Sequence, residues 1–392
     1  MFAKTYLAFP LIVALTCTAI VSAHAQTTSP PADAKPPEPA PSAPIFSIWG
    51  FDLTGHFDVG YTHLSGSGKF ISGLNNRVFD FKRNAAVIHA LDLQLAKLPE
   101  DGFGGLINVT LGKDADTIAS YGMISRTKGP ANGADHYADL TQGYVHFGAA
   151  PFTVIAGKYV TLAGAEVIKS AADVNYSRSI LFGYAIPFTH TGVRASYKLN
   201  DMLSLTAGVN QGWDQFDDTN NDKTVELGAA FVPTKAVSVL GVFYSGKENV
   251  AAYPAISPEK GTRNLLDLVA TFTATDELTF VINYDYGTQE GVAGVDKAKW
   301  HGIAGYANYQ INDQWRTSLR GEYFKDRDGY RTGIAQEWTE GTLTLAYLPM
   351  KELEVRAEVR RDHSDQSTFL KSDGSTPTNK QWSFGFELLF KF

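Results

Sequence analysis

The chain has almost no cysteine and no excess of basic charge. Its single cysteine, Cys17, lies within the first 25 residues, and its formal net charge at pH 7 is −7. A disulfide framework and a zinc site built from several cysteines are therefore excluded. The acidic balance excludes a strongly basic nucleic-acid-binding protein, and we expect no nucleic-acid partner. Stability has to come from another source, and a closed, hydrogen-bonded sheet is one.

Long apolar runs are absent after the first residues, so no later segment predicts a transmembrane helix. Residues 1–25 have the pattern of a secretory signal peptide, with Lys4 before an apolar stretch and an Ala23-His24-Ala25 cleavage motif. Residues 26–47 are rich in Pro, Ala and Ser, which predicts a periplasmic leader without a core. We expect residues 48–392 to form the folded domain.

The segment 382–392 alternates strictly between two kinds of side chain. One face carries Trp382, Phe384, Phe386, Leu388, Phe390 and Phe392. A period of two predicts a strand with one apolar face. A row of aromatics of this kind is typical of the closing strand of an outer-membrane barrel. We expect this strand, with Phe392 at its end, to be recognised by the barrel-assembly machinery.

Alternating segments recur sixteen times along the domain. They are 49–62, 85–97, 103–112, 138–148, 152–160, 190–199, 202–213, 223–232, 236–246, 263–274, 277–287, 299–311, 314–325, 337–348, 352–362 and 380–392. Seven short turns alternate with eight long polar loops between them. This pattern predicts an all-β fold, a transmembrane antiparallel up-and-down β-barrel of about 16 strands, with short periplasmic turns and long extracellular loops.

Two stretches carry a resemblance to a known family. They are Asn76-Arg77-Val78-Phe79-Asp80 and the region from Gly157 to Val193, which includes Asn175-Tyr176-Ser177-Arg178-Ser179 and Pro187-Phe188-Thr189-His190-Thr191-Gly192. The chain resembles the putative beta-barrel porin-2, OmpL-like family of Gram-negative bacteria. The resemblance implies an outer-membrane location and a pore-like role, and it implies no particular solute.

The loop 161–189 is the predicted pore constriction. In general porins the corresponding loop folds into the lumen and narrows it. Here the loop offers two acids and two bases, Glu166, Lys169, Asp173 and Arg178, and the stretch from Gly164 to Ala171 is expected to form a short helix. Charges placed at a constriction select ions and orient polar solutes.

Alternation also places charged residues on the inner faces of the strands. The basic ones are Arg194, Lys198, Arg316, Arg320, Arg356 and Arg360, and the acidic ones include Glu322, Glu340, Glu354 and Glu358. The hypothesis is that the last four arginines form a basic wall along the pore. The alternative is that the charges pair with cross-strand neighbours and merely solvate the lumen.

Three classes of function fit these patterns. The leading prediction is a porin-like channel for passive diffusion of small polar solutes or ions, without enzymatic activity, cofactor or metal. The second is a structural or adhesive barrel with a plugged lumen, and the third is a barrel enzyme acting on lipids. We expect outer-membrane lipids as partners, and the sequence leaves a homotrimer open.

Overall fold

The chain folds into a closed antiparallel barrel of sixteen strands, seen in a computed structural model that describes residues 44, 46–80, 82–123, 136–250 and 259–392. We label the barrel strands β1 to β16. They are Phe51–Leu64, Ala85–Lys97, Asp101–Leu111, Ala138–Ala149, Phe152–Val160, Thr189–Lys198, Leu203–Asn210, Thr224–Thr234, Val237–Asn249, Lys260–Thr273, Leu278–Glu290, Lys297–Asn312, Trp315–Asp326, Gln336–Met350, Leu353–Ser364 and Lys380–Lys391. The predicted strand count and the predicted antiparallel up-and-down β-barrel are confirmed, and the side of the membrane on which each set of connections lies stays a prediction.

The barrel closes because its first and last strands pair. β1 pairs with β2 on one side and with β16 on the other, in a register that sets His56 opposite Lys391 and Leu64 opposite Ser383. The amide of Gly55 donates to the carbonyl of Phe392 at 2.7 Å, and the amide of Phe392 donates back at 3.0 Å. Because the barrel closes, neither edge of the sheet is free to pair with another chain and aggregate.

The strands present an apolar face to the outside. In β16 the aromatic row is exposed, with Phe384 at 55% and Phe386 at 51%, while Ser383 and Glu387 are buried on the inner side. The same division into an outer and an inner face recurs along the other strands, because a period of two sends neighbouring side chains to opposite faces. The alternation read in the sequence therefore corresponds to the two surfaces of the wall.

The connections at the two ends of the barrel differ in length. At one end the seven turns have two to four residues, as at Ala150-Pro151 between β4 and β5. At the other end the eight loops have six to 28 residues, and we call this end the long-loop mouth. The longest connection, residues 161–188 between β5 and β6, is called the inner loop below.

The remaining elements are short. A strand Phe46–Ile48 pairs with the start of β1, and a small separate sheet joins the strands Gly66–Phe70, Phe369–Lys371 and Pro377–Thr378. The helix α1 spans Lys113–Ile118, and α2 spans Ile180–Tyr184 within the inner loop. The described part of the chain has no helix with the length and apolar character needed to cross a membrane.

The helix expected from Gly164 to Ala171 is wrong. Gly164 has a φ of +93°, a left-handed conformation that a regular right-handed helix does not contain. Only a single 3₁₀ turn, Ser170–Ala172, lies near this stretch. The α-helical turn forms later, at α2, where the side chain of Ser179 accepts a hydrogen bond from the amide of Phe182 and caps the first turn.

The predictions for the N-terminal region fall outside the described residues. This applies to the signal peptide at 1–25 and to nearly all of the leader at 26–47. Of the predicted leader, residues 44, 46 and 47 are described, and Phe46 and Ser47 belong to the short strand that pairs with β1.

An apolar cluster lies inside the barrel, on the inner faces of β9 to β14. Its wall members include Leu265, Val281, Trp300 and Phe324, and its members from the inner loop include Ile180, Leu181 and Phe182. β10 carries leucine on both faces, since Leu265 is fully buried on the inside while Leu266 is 38% exposed on the outside. This part of the inner wall is therefore covered by packed side chains.

Candidate functional site

The inner loop lies against the inner faces of many barrel strands. Its residue Ser170 hydrogen-bonds Asp58 of β1 at 2.7 Å, and the amide of Gly164 donates to Asp267 of β10 at 3.0 Å. Trp300 of β12 donates its indole N–H to the carbonyl of Ala185 at 3.1 Å. Contacts of one loop with strands this far apart in the sheet indicate that the loop crosses the interior of the barrel.

Three buried arginines of the wall donate to backbone carbonyl groups of the inner loop. Arg320 donates to Ser177 at 2.6 Å, Arg356 donates to Asp173 at 2.6 Å and to Ser170 at 3.2 Å, and Arg360 donates to Arg178 at 2.7 Å. A guanidinium group carries five N–H donors in a fixed fork, so one side chain can hold several carbonyl groups at once.

Acidic residues hold the amides of the same segment. Glu358 accepts from the amide of Tyr176 at 2.8 Å and from that of Ser177 at 3.1 Å. Glu322 accepts from Ile180 at 2.9 Å and from Leu181 at 3.2 Å. These last two amides open the first turn of α2, where a negative charge is favourable. Wall charges of both signs thus satisfy the backbone of the inner loop.

The wall arginines are also neutralised by carboxylates. Arg320 pairs with Glu340 and with Glu166 of the inner loop, both at 2.7 Å. Arg356 pairs with Glu354 at 2.7 Å and Glu387 at 2.9 Å, and Arg360 pairs with Asp362 at 2.7 Å and Glu340 at 3.3 Å. Such pairing is required, because an unpaired buried charge costs several kcal/mol.

The structure brings eleven of the fourteen predicted site residues into this network. Besides Glu340, they are Glu166, Asp173, Arg178, Arg316, Arg320, Arg356, Arg360, Glu322, Glu354 and Glu358. Glu340 belongs to it as the partner of Arg320 and Arg360. Arg316 is less enclosed than the other three wall arginines, with 17% of its side chain exposed, and it pairs with Glu354.

The three remaining predicted residues lie elsewhere. Lys169 is partly exposed and donates to Gln94 at 2.5 Å, with Asp92 at 3.6 Å. Arg194 pairs with Glu226 at 2.7 Å and lies 4.2 Å from the ring centroid of Tyr159. Lys198 is near the short-turn end and pairs with Asp201 at 2.8 Å.

Burial changes the ionisation of the inner loop. The carboxyl group of Asp173 is enclosed, and this burial raises its pKa to about 7 although the Arg178 guanidinium lies 3.0 Å away. Glu166 adds to the upward shift of this pKa because it is a second negative charge nearby. The inner loop therefore contains a carboxyl group that titrates near neutral pH.

Several residues of the site were missed by the sequence reasoning. The hydroxyl of Tyr176 bonds to His89 at 3.0 Å and to Thr62 at 2.9 Å, and His89 bonds to Asp114 at 2.9 Å. This chain ties the inner loop to β1, β2 and α1. Tyr176 lies within the Asn-Tyr-Ser-Arg-Ser motif, but nothing in the sequence pairs it with a histidine 87 residues away.

Among the described residues, no group of three His, Cys, Asp or Glu side chains is placed to hold a metal ion.

A closed sixteen-stranded antiparallel barrel with a long loop held inside it is the architecture of a porin. The chain belongs to the putative beta-barrel porin-2, OmpL-like family, whose sequence profile matches residues 50–392. No curated protein sequence matches the chain.

Solved porin-like structures share this fold. The outer membrane channel DcaP of Acinetobacter baumannii has a TM-score of 0.60 and 14% identity, covering 90% of this chain and 100% of DcaP. The anion-selective porin from Comamonas acidovorans has a TM-score of 0.58 and 10% identity, covering 87% of this chain and 99% of its own. A trimer form of OmpT, an outer membrane protein of Vibrio cholerae, has a TM-score of 0.57 and 12% identity, covering 87% of this chain and 99% of OmpT. At these identities the similarity concerns the fold.

Proposed function

We propose that the protein is an outer-membrane channel for passive diffusion of small polar solutes or ions, with its lumen narrowed by the inner loop. The observation that carries the proposal is the attachment of this loop to the inner faces of β13 and β15 through Arg320, Arg356, Arg360, Glu322 and Glu358. A loop anchored at this many points holds a fixed shape, and a fixed shape is what a size-selective passage requires.

The proposed path runs between the inner loop and the strands β6 and β7. The inner faces of these strands carry half-buried polar side chains, among them Ser196, Lys198, Ser204 and Thr206. Ser196 and Thr206 share a hydrogen bond of 2.9 Å. Hydroxyl groups of this kind can exchange hydrogen bonds with water or with a passing solute.

In this proposal, the arginines of the predicted basic wall support the inner loop and do not line the path. Arg320, Arg356 and Arg360 are almost fully enclosed under the inner loop, so we assign them to holding the constriction in place. Lys198 lies on β6, beside the proposed path, and 34% of its side chain is exposed. Arg194 of the same strand is buried and paired with Glu226. The selectivity of the channel would then depend on Lys198 and on the exposed part of Lys169.

The proposed setting is the outer membrane, reached through a cleaved signal peptide. The apolar outer face of the wall supports contact with lipids, and the exposed aromatic row of β16 supports recognition by the assembly machinery. The short turns would then face the periplasm and the long loops the exterior. The trimer form of a structurally similar protein supports a homotrimer here.

A barrel with a plugged lumen is the second candidate, and one observation favours it. At the long-loop mouth, Phe70 of the small separate sheet packs on Phe369 at 5.6 Å and on Trp338 at 5.3 Å between ring centroids. Tyr184 of α2 joins the same aromatic group, at 5.7 Å from Trp338. Loops that pack together over the mouth would obstruct a solute.

Single-channel recording in a planar bilayer separates these candidates. For a channel we expect stable, stepwise currents from the folded protein, and a reversal potential in a salt gradient that changes when Lys198→Glu is introduced. Absence of current from protein shown to be folded would favour the plugged barrel. Release of fatty acids from a lipid substrate by the same sample would instead favour an enzyme.

A further inference from the structure

Two arginines and three aromatic side chains meet at the long-loop mouth. They are Arg263 near the start of β10, Arg331 in the loop before β14, Trp213 in the loop after β7, Trp300 near the start of β12, and Tyr330 beside Arg331. We call this group the mouth cluster. None of these five residues is among the site residues predicted from the sequence.

The two guanidinium groups share the same rings. The Cζ atom of Arg263 lies 4.9 Å from the ring centroid of Trp213 and 5.8 Å from that of Tyr330. The Cζ atom of Arg331 lies 5.6 Å from Trp213 and 5.3 Å from Trp300. Trp300 and Tyr330 are stacked at 5.8 Å between centroids. The two positive charges are thus held close together by apolar rings.

Carboxylates lie near the mouth cluster, with Asp214 and Asp326 near Arg331 and Glu248 near Arg263. Arg263 donates to the neutral acceptors Gln289 at 2.6 Å, Tyr330 at 2.6 Å and the carbonyl of Asn249 at 3.2 Å. The side chain of Arg331 donates through Nε to the carbonyl of Tyr184. Neither guanidinium forms an ion pair with any carboxylate in the described ranges.

This arrangement departs from the rest of the molecule. Seven arginines are buried among the described residues, and six of them form ion pairs with a carboxylate. Arg263 is the exception. The nearby carboxylate of Glu248 is engaged by the hydroxyl of Thr224 at 2.7 Å and by the amide of Trp213 at 3.2 Å. A buried cation without a partner is costly, so an anion supplied from outside would stabilise the cluster.

Donors remain available for that anion. The two terminal nitrogens of Arg331, and Nη1 of Arg263, have no hydrogen-bond partner among the described residues, and none of these atoms is fully buried. Burial and the neighbouring Arg263 lower the pKa of Arg331, which agrees with two cations placed side by side. Free N–H donors on a guanidinium group are the donors that a carboxylate accepts from most strongly.

We propose that the mouth cluster is a binding site for small organic carboxylates. The carboxylate group would accept from Arg263 and Arg331, and the carbon skeleton would rest against the half-buried ring of Tyr330. An organic acid is favoured over an inorganic oxyanion because the surroundings of the two arginines are aromatic. The site lies beyond the proposed channel function and does not depend on conductance.

Titration calorimetry on the folded protein in detergent tests the proposal. The probes are sodium succinate, sodium phosphate and sodium chloride at equal ionic strength. We expect saturable binding of succinate, weaker binding of phosphate and none of chloride. For Arg331→Gln and for Arg263→Gln we expect the affinity for succinate to fall about tenfold or more, the effect of losing one charge-assisted fork.

Two variants serve as controls. Arg361→Gln removes an exposed arginine that lies 5.9 Å from the ring of Trp382 on the outer face, and we expect unchanged succinate binding. Arg331→Lys keeps the charge but loses the fork, and we expect an intermediate affinity together with retained folding. Succinate binding that is absent in the folded wild type, or that is equal in Arg331→Gln and Arg361→Gln, would overturn the proposal. Phosphate binding as strong as that of succinate would overturn the assignment to organic acids.

Discussion

Arg320 of β13 and Glu166 of the inner loop form an ion pair with an N–O distance of 2.7 Å, although 154 residues separate them in the chain. The same guanidinium pairs with Glu340 and donates to the carbonyl of Ser177. A single side chain therefore joins two strands of the wall to the segment that crosses the interior. Its removal should affect the stability of the loop and of the wall together.

We expect Arg320→Met to lower the free energy of unfolding by about 3–5 kcal/mol, since it leaves buried carboxylates without their cation. The measurement is urea denaturation of the folded protein in lipid vesicles. Adding Glu166→Gln to Arg320→Met should restore part of the loss, because one of the unpaired charges is then removed. Lys325→Met, which breaks the partly exposed pair with Glu337, should change little. Equal losses in Arg320→Met and Lys325→Met would contradict this account.

Glu358→Gln should loosen the middle of the inner loop. The Glu358 carboxylate accepts hydrogen bonds from the amides of Tyr176 and Ser177. A glutamine side chain offers only one acceptor oxygen and adds a competing N–H donor. We expect a loss of about 1–3 kcal/mol for the buried groups left unsatisfied. Hydrogen exchange should quicken at Tyr176 and Ser177, and single-channel currents should become larger or noisier. Glu337→Gln, on the outer face of β14, is the matched control, and unchanged protection of the two amides in Glu358→Gln would disprove the anchoring role.

The inner loop should be held more firmly at acidic pH than at alkaline pH. In the folded state the pKa of Asp173 is raised to about 7 by burial, above its ordinary value of 3.8. The folded state therefore binds this proton more tightly than the unfolded state does. The stability that this difference contributes is fully present below about pH 4 and is lost as the pH rises through 7. Arg178, Glu166 and Arg356 are the charged groups that face Asp173.

The measurement is hydrogen exchange of the inner loop between pH 5 and pH 8, corrected for the intrinsic pH dependence of exchange. We expect protection to fall with rising pH in the wild type and to change much less in Asp173→Asn. Asp373→Asn, in the exposed loop before β16, should retain the wild-type profile. The same pH dependence in Asp173→Asn as in the wild type would assign the effect to another group.

The apolar cluster inside the barrel should contribute measurably to stability. Leu265→Ala removes a fully buried side chain of β10, and we expect a loss of about 2–5 kcal/mol. Leu266→Ala, one residue further along, removes a side chain that is 38% exposed on the outer face and should cost less. Urea denaturation in vesicles compares the two. A larger loss for Leu266→Ala would mean that the interior is not packed as described.

Most of the fold could be predicted from the sequence, because barrel strands obey a local rule. Alternation with a period of two predicted all sixteen strands, and the two classes of connection predicted the even strand number. The ends of the strands were predicted less accurately than their number. β7 ends at Asn210 and not at the predicted residue 213, since Gly212 adopts a φ of +111° and the chain turns there.

The interior could be predicted only in part. Charged residues on the inner faces were visible, but their partners belong to the inner loop, far away in the sequence, as Glu358 and Tyr176 show. The apolar residues on the inner face of β10 had a signal in the run Leu265-Leu266-Asp267-Leu268-Val269, because it places Leu265 and Val269 on one face and Leu266 and Leu268 on the other. The mouth cluster had no signal in the sequence, because Trp213, Arg263 and Arg331 come from three separate segments.

The anchors of the inner loop also make its final conformation depend on the C-terminal strands. The loop ends at residue 188, whereas the side chains that fasten its middle lie on β13 and β15, between residues 315 and 364. A half-built barrel that contains only the first strands offers none of these contacts. The lumen can therefore have its final cross-section only once β13 and β15 stand in the sheet, whichever end of the chain enters the sheet first.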